Sequence, residues 1–204
     1  MTSPRFSAIL LAAGYSSRMG SFKPLLFLGK NTIIEGVIAL FRASGIDDIR
    51  VVVGHNKEAL LPVLKHQAVT PVENPDFHQG MFSSVQAGVS RLAPDTDAFF
   101  IMPGDMPLVQ PATIQYLMAQ YEETPNRIIR PLYQGKKGHP PLIPFSMAET
   151  ILNDRGDGGL REILNHHRDR ASEIEVQDPN ILLDMDRPQD FNLMVNSFRD
   201  QHAK

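Results

Sequence analysis

The stretch from Ile9 to Leu26, ILLAAGYSSRMGSFKPLL, carries residues whose types and order suit the binding of phosphate. Its apolar opening predicts a buried strand; Ala-Ala-Gly, Ser16-Ser17, Arg18, Gly20 and Lys23 follow before a helical pattern resumes after Asn31. Directly after Leu11, the small residues Ala12, Ala13 and Gly14 let a ligand approach the backbone closely. The loop's amides, with Arg18 and Lys23, can then hold several phosphate charges at once. Neither of the two commonest phosphate loops is present: the spacing of Gly14, Gly20 and Lys23 is not that of a P-loop, and no G-x-G-x-x-G occurs. A basic surface loop would account for Arg18 or Lys23 alone, but not for the whole set.

From Leu11 to Lys23 the pattern L-A-A-G-x-S-x-R-M-G-x-x-K resembles the signature of small MobA-like nucleotidyltransferases of the molybdenum cofactor cytidylyltransferase type. These are relatives of the molybdopterin guanylyltransferases. The resemblance implies a Rossmann-like three-layer α/β/α fold with a mostly parallel sheet, in which Leu11 to Gly14, Arg18 and Lys23 bind nucleotide. Arg18 and Lys23 would also serve catalysis.

Other parts of the chain must be brought to that loop. Asp97 to Met102 predicts a core strand ending in Pro103-Gly104-Asp105-Met106-Pro107. A carboxylate at the C-terminal edge of a parallel sheet sits where doubly wound folds bind ligands, so Asp105 is a candidate metal ligand, although such a sequence alone is more often a plain turn. The family's G-D-M-P matches here; in it the Asp binds Mg²⁺, and Pro103 and Gly104 fall at the nucleotide. Asn74 to Gly88 matches N-x-x-[aromatic]-x-x-G-M-x-x-S-x-x-x-G, which implies nucleotide contacts for Gly80, Met81 and Ser84. A capped core helix with Phe77, Met81 and Val85 inward explains the same residues, and Gly88 would thin that helix for close packing.

Gly135 to Pro141 reads as a loop ahead of a Leu142-Ile143 strand, and its Gly-His-Pro matches a segment that faces the second substrate in the family. His139 is the favoured residue there, while Lys136 and Lys137 read equally well as a solvated hairpin tip. Gly156, Asp157, Gly159 and Arg161 match G-D-x-G-x-R, implying an acceptor site; Arg161 can grip an anion bidentately or pair with Asp157. Asp184, Asp186, Pro188, Asp190 and Phe191 match the closing D-x-D-x-P-x-D-[aromatic]. Asp186 reads as a helix cap, and by resemblance as the other Mg²⁺ ligand.

The supporting pattern is βαβαβ: a helix capped by Thr32, a strand Ile49 to Val53, a helix from about Asn56 to Leu64 and an extended piece Val69 to Glu73. Helices are then predicted over Met81 to Arg91, from Pro111 with Ile114, Leu117, Met118 and Tyr121 inward, and from Pro188. Ile128 to Tyr133 reads as a strand.

With 204 residues, 42% of them hydrophobic, the chain can bury one core; a single domain is expected, with a nucleotide-binding half over about 6–110 and an acceptor-binding half over about 111–200. A net charge of -3 and the lack of any Lys/Arg run argue against nucleic acid, and nothing approaches a membrane span. The absence of cysteine excludes thiolate zinc and iron-sulfur sites. The protein is expected in the cytosol. No nucleophile-base pair is evident, which fits nucleotidyl transfer to an acceptor that is already anionic. The expectation is therefore Mg²⁺-dependent transfer of CMP from CTP to molybdenum cofactor, with transient contact with a molybdoenzyme or its chaperone. Ala13 supports cytidine, since the guanylyl relatives usually have L-A-G-G there. The alternatives are a guanylyl- or other nucleotidyltransferase acting on molybdopterin or another small phosphate, or a non-catalytic molybdenum cofactor carrier or insertion chaperone.

Overall fold

The computed structural model describes residues 3–16, 19–185 and 187–202. Three apolar segments, β1 (Phe6–Leu11), β4 (Ile49–Val53) and β6 (Ala98–Pro103), form the centre of an eight-stranded sheet. Between β1 and β4 lie a small hairpin, β2 (Phe27–Leu28) with β3 (Asn31–Thr32), and helix α1 (Ile33–Ala43). Thr32 caps α1 in a reciprocal box with Glu35. Helix α2 (Lys57–His66), β5 (Thr70–Glu73) and α3 (Met81–Val89) complete the first half.

Beyond β6 come α4 (Pro111–Glu123), β7 (Ile128–Tyr133), β8 (Lys136–Lys137), β9 (Leu142–Pro144), α5 (Ala148–Asn153), α6 (Gly159–His166), β10 (Ala171–Glu175) and α7 (Pro188–His202). The sheet order is β10-β7-β9-β6-β1-β4-β5, with β8 paired to β7. Strands β1, β4, β5 and β6 are parallel neighbours, and only β9, and the short β8, run antiparallel to their partners. The mostly parallel α/β/α arrangement expected from the sequence is the one adopted.

Side-chain alternation along the central strands divides the core into two layers. Ala8, Leu10, Val51, Val53, Phe100 and Met102 pack with α1, α2 and α4, whereas Ile9, Val52, Phe99 and Ile101 pack with α3, α5 and α6. A third cluster, with Leu28, Ile33, Leu108, Met185 and Met194, docks α7 beside the β2–β3 hairpin.

Four elements were not read from the sequence: the β2–β3 hairpin, β8, α5 and β10. Strand β8 follows a tight turn in which Gln134 and Gly135 both have positive φ, 50° and 72°. That geometry matches the right-handed twist of the paired strands, and here it turns the chain through a residue pair that lacks the usual Asn-Gly signal. Strand β10 is a sheet edge, so its Ser172, Glu173 and Glu175 are tolerated while Ala171 and Ile174 pack against the core. Helix α3 ends at Val89 rather than Arg91.

Gly88 lets α3 lie close on the sheet. A Cβ at this position would stand 2.4 Å from Ile9 Cγ2 and 3.1 Å from Val52 Cγ2, and both of those side chains are β-branched and fully buried. Gly88→Ala improves helix propensity by about 1 kcal/mol, yet overpacking outweighs it. A net loss of about 1–2 kcal/mol is expected in urea unfolding. A midpoint at or above that of the unsubstituted chain would show that α3 can ride outward freely.

Candidate active site

The chain runs outward from β1 through β4 to β5 and then returns to β6 on the other side of β1. Strand order therefore reverses between β1 and β6, and the crevice at their C-terminal ends is where an open parallel sheet presents its loops to a ligand. Leu11 and Pro103 are register partners at that edge. A cavity of about 390 Å³ opens there, lined by the loop after β1, the loop after β6 and the start of α3.

Gly104 N–H donates to Leu11 C=O at 2.9 Å and Ala12 N–H to Val52 C=O at 2.9 Å, so the start of the loop is fixed to its neighbours. Ala12 and Ala13 are buried. A Cβ on Gly54 would come within 2.9 Å of the Ala13 methyl, so that methyl packs against β4 and acts on a ligand only through the backbone path it sets. Beyond it, the N–H groups of Ala13, Gly14, Tyr15 and Ser16 donate to no acceptor among the described residues, and all four residues line the cavity. Consecutive amides left open in this way form a concave anion receptor.

Lys23 closes the loop. Its N–H donates to Ser16 Oγ at 3.2 Å, and its ammonium meets Asp105 Oδ2 at 3.1 Å with both side chains largely shielded from water. Leu11 to Gly14, Lys23, Gly80, Met81, Ser84, Pro103, Gly104 and Asp105 thus share one cavity. Arg18 and Asp186 lie outside the described residues.

At the start of α3, Met81 is 67% exposed, which removes it from the core-helix alternative, whereas Val85 is buried as that alternative expects. Gly80 has φ 101°, a turn that sends the helix inward from the cavity edge and leaves Met81 on the rim. Ser84 is buried and accepts from Asn74 Nδ2 at 3.0 Å; the same amide reaches Ser83 Oγ at 2.9 Å, while Asn74 Oδ1 accepts from Asp76 N–H. Asn74 therefore sets the first turn of α3.

Tyr15, His78 and Asp184 are among the cavity residues that the sequence did not mark as site candidates. Tyr15 packs against His55 and Phe77, with ring centroids 4.9 and 5.3 Å away. Asp184 follows a short turn anchored by Asp178, whose buried carboxylate accepts from Gln110 N–H, Thr113 Oγ1, Asn180 N–H and Asn180 Nδ2. This long-range anchoring to the start of α4 helps bring Asp184 to the cavity; the closing motif matches Asp184 without giving it that place. Asp105 and Asp184 present oxygen donors alone, the set a hard divalent cation uses together with substrate phosphates. Among the described residues no group of three His, Asp or Glu forms a complete cage.

A second cavity, about 770 Å³, shares Leu11, Met81 and Pro103 with the first. His139 and Arg161 line it, as do Lys136 and Lys137; Asp157 is exposed and does not. The Lys137 ammonium pairs with Glu173 at 2.8 Å. His139 is held through its N–H to Ile181 C=O at 2.8 Å, and its Nδ1 is buried without a partner.

Burial lowers the His139 pKa below the usual imidazole value, opposed by the Asp184 charge and a backbone hydrogen bond with Ile101. The unfolded chain, with a histidine pKa of about 6.5, then binds more protons than the folded one as pH falls through that value. Stability from this group is complete above about pH 6.5 and is lost below it. The fall in urea midpoint between about pH 7.5 and 5.5 is therefore expected to be smaller in His139→Gln than in the unsubstituted chain; equal falls would contradict the assignment. The lowered carboxylates Glu35, Asp48 and Glu173 act at lower pH and leave this window clear.

Solved structures share this frame closely. A nucleotidyl transferase from Methanothermobacter thermautotroptrophicus superposes with TM-score 0.83 at 23% identity over 97% of this chain and 99% of its own. Rv0371c from Mycobacterium tuberculosis H37Rv, in a complex with manganese, gives 0.78 at 23% identity over 96% and 100%. These likenesses define a fold of Rossmann-like α/β/α architecture. Residues 8–171 match the MobA-like NTP transferase domain, and the molybdenum cofactor cytidylyltransferase of Escherichia coli (strain K12) is 32% identical over 189 residues, 90% of this chain and 92% of that protein. The chain belongs to the MobA-like NTP transferase family.

Proposed function

We propose that the chain transfers CMP from CTP to the terminal phosphate of molybdenum cofactor and releases pyrophosphate. The observation that carries this reading is the meeting of two cavities at Leu11, Met81 and Pro103, one with open amides and Lys23, the other lined by cationic side chains. An oxygen of the acceptor phosphate attacks the α-phosphorus; the new P–O bond forms as the α–β anhydride bond breaks, and pyrophosphate leaves with the electron pair. A phosphate monoester is already largely dianionic at neutral pH, so no side chain need remove a proton, and alignment with charge stabilisation is the main demand.

In this reading the amides of Ala13 to Ser16 hold the triphosphate, and Lys23, with Arg18, stabilises charge that grows on the departing pyrophosphate. Gly80, Met81 and Ser84 border the base and ribose, Pro103 and Gly104 complete the nucleotide wall, and His139, Asp157 and Arg161 belong to the acceptor side. A divalent cation, Mg²⁺ in the cell, would be held by Asp105 and Asp186, with Asp184 sharing the cavity with Asp105, and would neutralise phosphate charge. Cytidine is supported by Ala13 and by the name of the Escherichia coli relative. The product would pass in the cytosol to a molybdoenzyme or its chaperone.

The test is pyrophosphate release with Mg²⁺ and each of CTP, GTP, ATP and UTP, with and without molybdenum cofactor. Cofactor-dependent release with CTP is expected. Release with another nucleotide would discard cytidine, and cofactor binding without release from any nucleotide would make the protein a carrier.

A further inference from the structure

Arg130 lies in the middle of β7, where the sequence reads as plain strand, yet its side chain lines the second cavity. It is only 7% exposed, and its one described partner is Asn165 Oδ1, 3.1 Å from Nη1. Its Nε and Nη2 donate to no acceptor among the described residues. Arg161 of α6 lines the same cavity and repels it; burial, the larger effect, and that like charge both work against the Arg130 guanidinium, with only Glu173 opposing. Glu173 is itself engaged by Lys137.

Among the described residues the lining of this cavity includes Arg130, Lys136, Lys137 and Arg161 and no carboxylate, in a chain whose net charge is -3. A nearly buried guanidinium with most of its donors open, together with the exposed Arg161 fork on the same cavity, can match an oxyanion bidentately. The reacting phosphate cannot be that anion. It must reach the α-phosphorus in the first cavity, which neither arginine lines. Strand β7 stands three strand spacings from β1, about 14 Å.

We propose that Arg130 and Arg161 grip a second anionic centre of the acceptor, remote from the phosphate that reacts, so that the substrate is a molecule with two anionic ends. This rests on the two-cavity assignment above, but its test needs neither nucleotide nor cofactor. Inorganic phosphate is titrated calorimetrically into the full chain and its variants. Binding is expected to persist in Lys23→Ala, to weaken at least tenfold in Arg161→Gln and in Arg130→Gln, and to be partly restored in Arg130→Lys. Because Arg161 is exposed, its variant tests the site even if Arg130→Gln folds poorly. Phosphate binding that survives the Arg161→Gln change and disappears in Lys23→Ala would overturn the proposal, as would no binding at all.

A kinetic arm separates an acceptor group from a free anion. With the acceptor that supports turnover, inorganic phosphate should raise the acceptor KM and leave the nucleotide KM unmoved, and Arg161→Gln should raise the acceptor KM at least tenfold. Phosphate that binds at these arginines without competing against acceptor would assign the cavity to a free anion and reject the proposal.

Discussion

Asp105→Asn is expected to lower kcat by about a thousandfold, equivalent to about 4 kcal/mol of lost transition-state stabilisation. The carboxylate stands at the C-terminal end of β6, directly across the switch point from the loop after β1, and is held by Lys23 at 3.1 Å. Asparagine keeps the shape and the hydrogen-bond acceptor while removing the charge, so the ammonium of Lys23 is left with a weaker partner but no cavity opens. The thermal midpoint should therefore fall by only a few degrees, and the divalent-cation concentration for half-maximal rate should rise sharply. A variant that keeps more than a tenth of the original kcat, or that loses activity with unchanged cation dependence, would remove Asp105 from the metal role.

Lys23→Ala is expected to reduce kcat by about a hundredfold, with a smaller change in the nucleotide KM. The reason is timing: the open amides of Ala13 to Ser16 bind ground-state phosphate, whereas the lysine charge is most useful when the leaving pyrophosphate gains negative charge. The change also removes an ion-pair partner of Asp105, so Lys23→Met, which retains much of the aliphatic packing, is the control. Equal increases in KM for both variants with unchanged kcat would make Lys23 a simple binding group.

Much of the frame was legible because it is written in local periodicity. Alternating apolar residues such as Ile9 against Ala8 and Leu10, or Phe99 against Phe100, predict strands buried on both faces, and the structure sends these alternate residues into separate layers. Thr32 with Glu35, Pro111 and Gly88 likewise announce their roles locally. The phosphate loop was legible for a similar reason: its small residues and cations are contiguous, and the amides that make the receptor belong to consecutive residues.

The second cavity was not legible to the same degree. Arg130 sits within an apolar strand pattern, and nothing within a few residues of it tells where it faces; in the first cavity, Asp184 belongs to a matched motif, yet its place beside a turn does not tell that it lines the cavity. Strand order decides it. Placing β6 beside β1 brings Asp105 to the first loop, inserting antiparallel β9 between β6 and β7 sets Arg130 on the wall of a neighbouring cavity, and Asp178 on the start of α4 draws Asp184 inward. Local sequence thus determined the elements, their buried faces and the phosphate loop, because those depend on period and on adjacent residues. Tertiary structure alone decided which charges share a cavity, because that depends on pairings between segments far apart in the chain.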